Sequence, residues 1–203
     1  AAVGDPAPFT FDLELDVGTG TGVGRGARRW RRERWLVTAT RHTFALPLGE
    51  RPRWVAADPE LRIIGQLELR APADMLRAQL VEAPSARARR QAAEALGRRH
   101  EPATVAALAT TLRSSRAFWG VRAAAAGALG KIRSEEAFGH LRSALRARHP
   151  KVRRAVAQAL GGFRTPAAAK HLARAARGDE SVLVAASAAR ALGSTRQDDA
   201  YEA

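Results

Sequence analysis

Two short stretches contain residue types that do chemistry when correctly placed. Gly22-Val23-Gly24-Arg25-Gly26-Ala27 fits a loose G-x-G-x-x-A pattern, inside a run with glycine at 18, 20, 22, 24 and 26. Closely spaced glycines let backbone N–H groups approach a pyrophosphate, which then rests on the N-terminus of the following helix. His100-Glu101-Pro102-Ala103-Thr104 starts as H-E-x-x-H does. In that motif two histidines one helical turn apart hold zinc and the glutamate acts as base. Histidine occurs at 42, 100, 140, 149 and 171, and cysteine is absent, so thiolate ligands and disulfides are excluded.

Neither stretch has the surroundings its chemistry needs. A dinucleotide cradle requires strand, glycine loop and helix in that order. The glycines here are followed by "ARRWRRERWLVTAT", which ends in strand-like residues and has no helical apolar stripe. The run therefore reads as a long hairpin loop between two antiparallel strands. No G-K-[ST] follows it for a phosphate-binding P-loop. In the second stretch Thr104 stands where the second histidine belongs, and Pro102 suits the opening of a helix rather than its interior. His140 and His171 recur at equivalent positions of different repeats and read as repeat-surface residues. Glu135-Glu136 and Asp179-Glu180 are expected at helix starts, where acids favour the helix dipole. Ser114-Ser115 has no adjacent base. No catalytic, cofactor-binding or metal-ligating residue is assigned.

The elements around these stretches have two different periods. In "FTFDLELDV", Phe9, Phe11, Leu13, Leu15 and Val17 share one face at period two. "RWLVTAT", "TFALPL", "RWVAADPE" and "LRIIGQLEL" continue as short strands with Gly/Pro turns, which predicts a small antiparallel β-sandwich over residues 1–70. From Ala71 the spacing becomes helical. Leu96-Gly97, Leu129-Gly130, Leu160-Gly161 and Leu192-Gly193 are 33, 31 and 32 residues apart, and each closes a similar helix. The residues eight and four positions before each leucine are Ala or Val, and they lie on one helical face. The glycine after each leucine is expected to be a left-handed C-cap. Leu76, Leu108, Leu141 and Leu172 mark a second helix with the same rhythm. Residues 71–203 thus read as an α-solenoid of about four HEAT-like helix pairs, in an α+β multidomain chain. "STRQDDAYEA" looks like the start of a further helix that is cut short, so the solenoid is expected to end open and to self-associate there.

Most of the net charge of +14 sits on the repeats. Residues 1–70 hold 11 Arg against 9 acids, whereas residues 71–203 hold 23 Lys/Arg against 11 acids. Arg89, Arg122 and Arg153 occupy one position in three successive helices and should form a ladder. Such a ladder either bonds neighbouring carbonyls and acids or lines a concave basic surface for an anionic partner. Trp119 is the one aromatic beside these arginines, and Phe118-Trp119 reads as a plug for the turn between helices. Interleaved aromatics for single-stranded nucleic acid are largely lacking.

"RAFWGVRAAAAGALGKI" (116–132), taken with "FTFDLEL", "RWLVTAT", "HTFALPL" and "RPRWVAADPE", resembles the C-terminal region of M1-family zinc aminopeptidases. In that family a β-sandwich and then a HEAT-like superhelix follow the catalytic domain, and the order here agrees. The family's G-x-M-E-N and H-E-x-x-H motifs, its downstream Glu and its transition-state Tyr find no counterpart, and Tyr201 is the only tyrosine. The resemblance therefore implies a non-catalytic rear half that packs on the catalytic domain of a longer parent chain and shapes substrate access. It places zinc in the parent and no cofactor in this chain.

The reading is thus an accessory interaction module with Arg89, Arg122, Arg153, Phe118 and Trp119 as its candidate surface. Its expected partners are the parent's catalytic domain and a protein or peptide on the concave face. The alternative is a HEAT scaffold for an anionic partner, an acidic protein or nucleic acid. No apolar run is long enough to span a bilayer and no signal-like start is present, so no membrane partner is expected and the cytoplasm is favoured.

Overall fold

The structure, a computed structural model, describes residues 10–20, 30–65 and 67–195. Strands β1 (Phe11–Gly18), β2 (Trp30–Val37) and β3 (Trp54–Ala57) form one antiparallel sheet in the order β2-β1-β3. Gly18 pairs with Trp30 across β1 and β2. The glycine run thus leaves one strand and enters its antiparallel neighbour, with no helix following it. Gly22, Gly24 and Gly26 themselves lie outside the described residues.

Gly18 is required by packing. A Cβ there would stand 2.1 Å from Nε1 and 2.2 Å from Cε2 of Trp54. Trp54 is buried with Ala56, Ala83 and Ala88, where the sheet meets the first two helices. Gln91 Nε2 donates to the Ala57 carbonyl at 2.9 Å, and Arg53 pairs with Glu82 across the same seam. Gly18→Ala should displace the indole and cost about 1–2 kcal/mol, within the usual range for overpacking. Tryptophan emission should shift to the red, and Trp54→Phe should abolish that shift. Unchanged emission and an unchanged unfolding midpoint would refute this packing.

The expected β-sandwich is corrected to a single sheet among the described residues. "TFALPL" and the described part of "LRIIGQLEL" are irregular. Pro47 cannot donate to a ladder, and Asp58 and Leu61 take positive φ values of 45° and 59°, which turn the chain away from a strand. A sandwich also needs a second apolar layer. Here the β1 face bearing Glu14 and Asp16 is closed by charge instead. Arg32 bridges Asp16 through Nε at 2.7 Å, and Arg34 Nη2 reaches Glu14 at 2.8 Å. Arg32 also pairs with Glu60, and Arg62 Nη1 lies 3.3 Å from Glu14. On the other face Trp35 stacks on Phe44 at 4.7 Å, which covers part of that face without a strand.

Eight helices follow among the described residues: α1 (Ala73–Glu82), α2 (Ala86–Leu96), α3 (Pro102–Arg113), α4 (Trp119–Ile132), α5 (Glu135–Ala144), α6 (Pro150–Leu160), α7 (Pro166–Gly178) and α8 (Val182–Ser194). Their starts are legible in the chemistry. Ser85, Ser134 and Thr165 accept from the N–H three residues on, and Pro102, Pro150 and Pro166 occupy the first helical position. The first helices bury Leu76, Leu108, Leu141 and Leu172, and α2, α4 and α6 bury Leu96, Leu129 and Leu160. The second helices α2, α4, α6 and α8 stack in sequence order, so that each pair finishes the core of the one before it.

The recurrent glycines do not act as left-handed caps. Gly97 and Gly161 have φ of −62° and −58°, while Arg133 and Arg164 take the left-handed positions at 57° and 48°. The glycines are needed because the second helices approach closely. A Cβ on Gly97 would lie 3.1 Å from Ala128 Cα, one on Gly130 would lie 2.7 Å from Ala159 Cβ, and one on Gly161 would lie 3.0 Å from Ala191 Cβ. One missing methyl per repeat sets the spacing of the stack.

Candidate interaction surface

The arginine ladder forms, and its guanidinium groups turn back onto the array. Arg89 Nε donates to the Ala83 carbonyl at 2.6 Å, and Arg122 Nε donates to the Leu112 carbonyl at 2.9 Å. Arg153 Nη1 donates to the Ala147 carbonyl at 2.9 Å. Arg89 and Arg122 thus satisfy carbonyls left open where α1 and α3 end, at the negative poles of their dipoles, and Arg153 does the same in the turn that follows α5. Arg89 and Arg122 remain half-buried and Arg153 is buried.

Arg153 alone extends into the next repeat. Its Nε and Nη2 hold Asp179 at 2.8 and 2.9 Å, and Nη2 reaches Glu180 at 3.0 Å. Asp179 ends α7 rather than starting α8, which corrects its expected position. Its carboxyl is held below the usual carboxylate range, chiefly by the Arg153 hydrogen bond, with burial opposing and the Ser181 N–H assisting. The fourth repeat carries Ala185 at the ladder position, so the series stops at three.

Phe118 and Trp119 sit at the start of α4. Phe118 is 54% exposed, and its ring lies 5.2 Å from that of Trp119. Trp119 stacks on His149 at the start of α6 (5.8 Å), and Lys151 Nζ lies 4.3 Å from the indole centroid. The aromatic pair therefore joins a cation and an imidazole across two repeats, and Phe118 is the aromatic left open to solvent.

The histidines stay apart. His42 Nε2 accepts from the N–H groups of Thr38 and Ala39, and His149 Nδ1 accepts from the Lys151 N–H. His140 lies 3.7 Å from Glu136 on its own helix. His100 precedes α3, with Glu101 capping it and Pro102 opening it. Among the described residues no group of three His, Asp or Glu side chains is placed to hold a metal ion. No described helix is long and apolar enough to cross a membrane.

A feature missed from the sequence lies between α5 and α7. The first helices α1, α3 and α5 pack in succession, and α5 meets α7 less extensively. Phe138 of α5 meets Phe163 at 5.4 Å and His171 of α7 at 6.3 Å. Beside that contact the helices leave a groove of about 580 Å³. The signal was present but faint: Phe138 fills the slot that Ala73, Val105 and Ala169 fill elsewhere. His171 on the groove wall is pushed below the usual imidazole range by burial first, and then by Arg142, Lys170 and Arg174.

A family profile described as HEAT repeats matches residues 73–148 and 139–203. No curated protein matches the chain. Among solved structures, human deoxyhypusine hydroxylase in complex with glycerol is similar at 28% identity and a TM-score of 0.53, covering 62% of this chain and 44% of that one. The complex of CpcE and CpcF of phycocyanin lyase from Nostoc sp. PCC7120 shares the fold at 24% identity and a TM-score of 0.53, covering 66% of this chain and 57% of that one. The similarity thus spans about half the length of those two structures.

Proposed function

This chain belongs to the HEAT-repeat family, and from that premise we propose that it is a non-catalytic scaffold that docks a protein partner. The observation that carries the reading is the edge made by Phe118, Trp119, His149 and Lys151. An aromatic half open to solvent, beside an indole that carries an exposed cation on its face, has the character of an interface anchor. The phycocyanin lyase structure, itself a complex of two proteins, supports the same kind of use.

The test is to purify the tagged chain from its source with brief cross-linking. A stoichiometric protein partner joined near α4 and α6 is expected, and Phe118→Ala should lose it. Because Phe118 is exposed, that variant should unfold within about 0.5 kcal/mol of the parent. A chain recovered without a partner, or an unaffected Phe118→Ala complex, would sink the reading.

A finer version makes the partner the catalytic domain of an M1-like zinc aminopeptidase within the same polypeptide. Its support is the resemblance of "RAFWGVRAAAAGALGKI" and "RPRWVAADPE" alone, and the single sheet weakens the sandwich half of it. Zinc-dependent aminopeptidase turnover in a longer native chain is what this version requires.

A further inference from the structure

The α5–α7 groove gathers three arginines around one concavity. Arg142 and Arg146 line one side and Arg174 the other. All three side chains are exposed. None of them meets a carboxylate among the described residues, although ten other arginines do. Three guanidinium groups around one concavity repel each other until an anion enters. The floor is different. Half-buried Leu145 and Ala175 leave an apolar strip between the cations. His171, which meets Phe138, lines the groove, and so does Asp179, already neutralised by Arg153.

We propose that this groove binds a short acidic segment of a protein partner, with its carboxylates on Arg142, Arg146 and Arg174 and an aliphatic side chain on Leu145 and Ala175. The proposal rests on the scaffold reading and gives it a second contact, on the face of the first helices. Guanidinium forks match carboxylates in paired, directional hydrogen bonds. The stretch from His171 to Gly178 spans roughly 10 Å along α7, enough for about three extended residues. Nucleic acid fits less well. The groove offers no row of stacking aromatics, and its apolar floor suits a side chain better than a sugar.

The experiment uses the full chain and a fluorescein-labelled peptide, Gly-Glu-Leu-Glu-Glu-Gly, with a single-stranded oligonucleotide as competitor. The double variant Arg142→Gln/Arg146→Gln is compared with Lys131→Gln/Arg154→Gln, which removes the same charge from exposed positions on α4 and α6. The groove variant should weaken peptide binding about tenfold or more, and the control under about twofold. Saturating peptide should also raise the pKa of the His171 imidazole in NMR titration, because it neutralises Arg142, Arg146 and Arg174 while Lys170 keeps its charge and Asp179 stays paired with Arg153. Equal weakening in both variants, a silent His171, no peptide binding, or displacement of peptide by lower concentrations of oligonucleotide would each overturn the groove. The tagged-chain purification separates the two failures. If the groove falls while a stoichiometric partner is still recovered, the scaffold reading stands.

Discussion

Gly130→Val is expected to cost about 3 kcal/mol, at the upper end of what overpacking does. The first methyl already stands 2.7 Å from Ala159 Cβ, 3.0 Å from Ala159 Cα and 3.1 Å from its carbonyl oxygen. Two of those atoms are backbone, so α4 and α6 must separate as bodies. The cost then spreads to Leu129 and Leu160, which are fully buried beside the contact. Gly127, one turn earlier on α4, supplies the control. A Cβ there meets nothing within 4 Å. Gly127→Ala should therefore stabilise by about 0.5–1 kcal/mol through helix propensity, while Gly130→Ala destabilises in spite of the same gain. Urea midpoints followed by far-UV circular dichroism decide it. Repeat arrays need not unfold in one step, so midpoints within each transition are the quantities to compare. If the two alanine variants move in the same direction, close approach is not what fixes this glycine.

The helical half was legible because its signal is redundant. Four leucines on each helix series, spaced by 31 to 33 residues, define a stack wherever the register is read from. What the glycine after each leucine does was not legible. A glycine one residue past an apolar stripe looks the same whether it allows a positive φ or leaves room for a neighbouring helix. Only the position of Ala128, Ala159 or Ala191 separates the two roles. The sheet was half legible for a related reason. The alternation in "FTFDLELDV" marked a strand, and β1 includes Leu13, Leu15 and Val17. It could not show that Glu14 and Asp16 on the opposite face would be buried by Arg32 and Arg34 rather than left to solvent. Alternation reports polarity and not exposure, so a charge-closed face looks like an open one. In the candidate surface, the ladder of Arg89, Arg122 and Arg153 followed from register alone. The groove did not, because it depends on how α5 and α7 sit against each other around Phe138, which meets Phe163 and His171.

Arg153→Ala is expected to cost about 3 kcal/mol, the usual scale for removing one partner of a buried ion pair. Arg153 is 6% exposed, and the side chains it joins belong to two repeats. Truncation strands the Asp179 carboxylate beside the turn into α8 and frees the Ala147 carbonyl in the turn between α5 and α6. Arg153→Lys keeps the charge but loses the fork that spans both, so it should recover less than half of the loss. The pH dependence gives an independent check of sign. The folded Asp179 carboxyl lies below its unfolded value, so its contribution is complete above the unfolded pKa of about 3.9 and is lost as the pH falls through the lower folded value. The parent chain should therefore lose stability more steeply below about pH 4 than Arg153→Ala does, and the two curves should converge in acid. Asp179→Asn should flatten the same part of the curve. Arg89→Ala and Arg122→Ala remove one carbonyl bond each and no buried ion pair, so about 1 kcal/mol is expected for either. If all three alanine variants lose the same amount and keep parallel pH curves, the ladder works through its carbonyl bonds alone and the link from Arg153 to Asp179 adds nothing to the joint between the last two repeats.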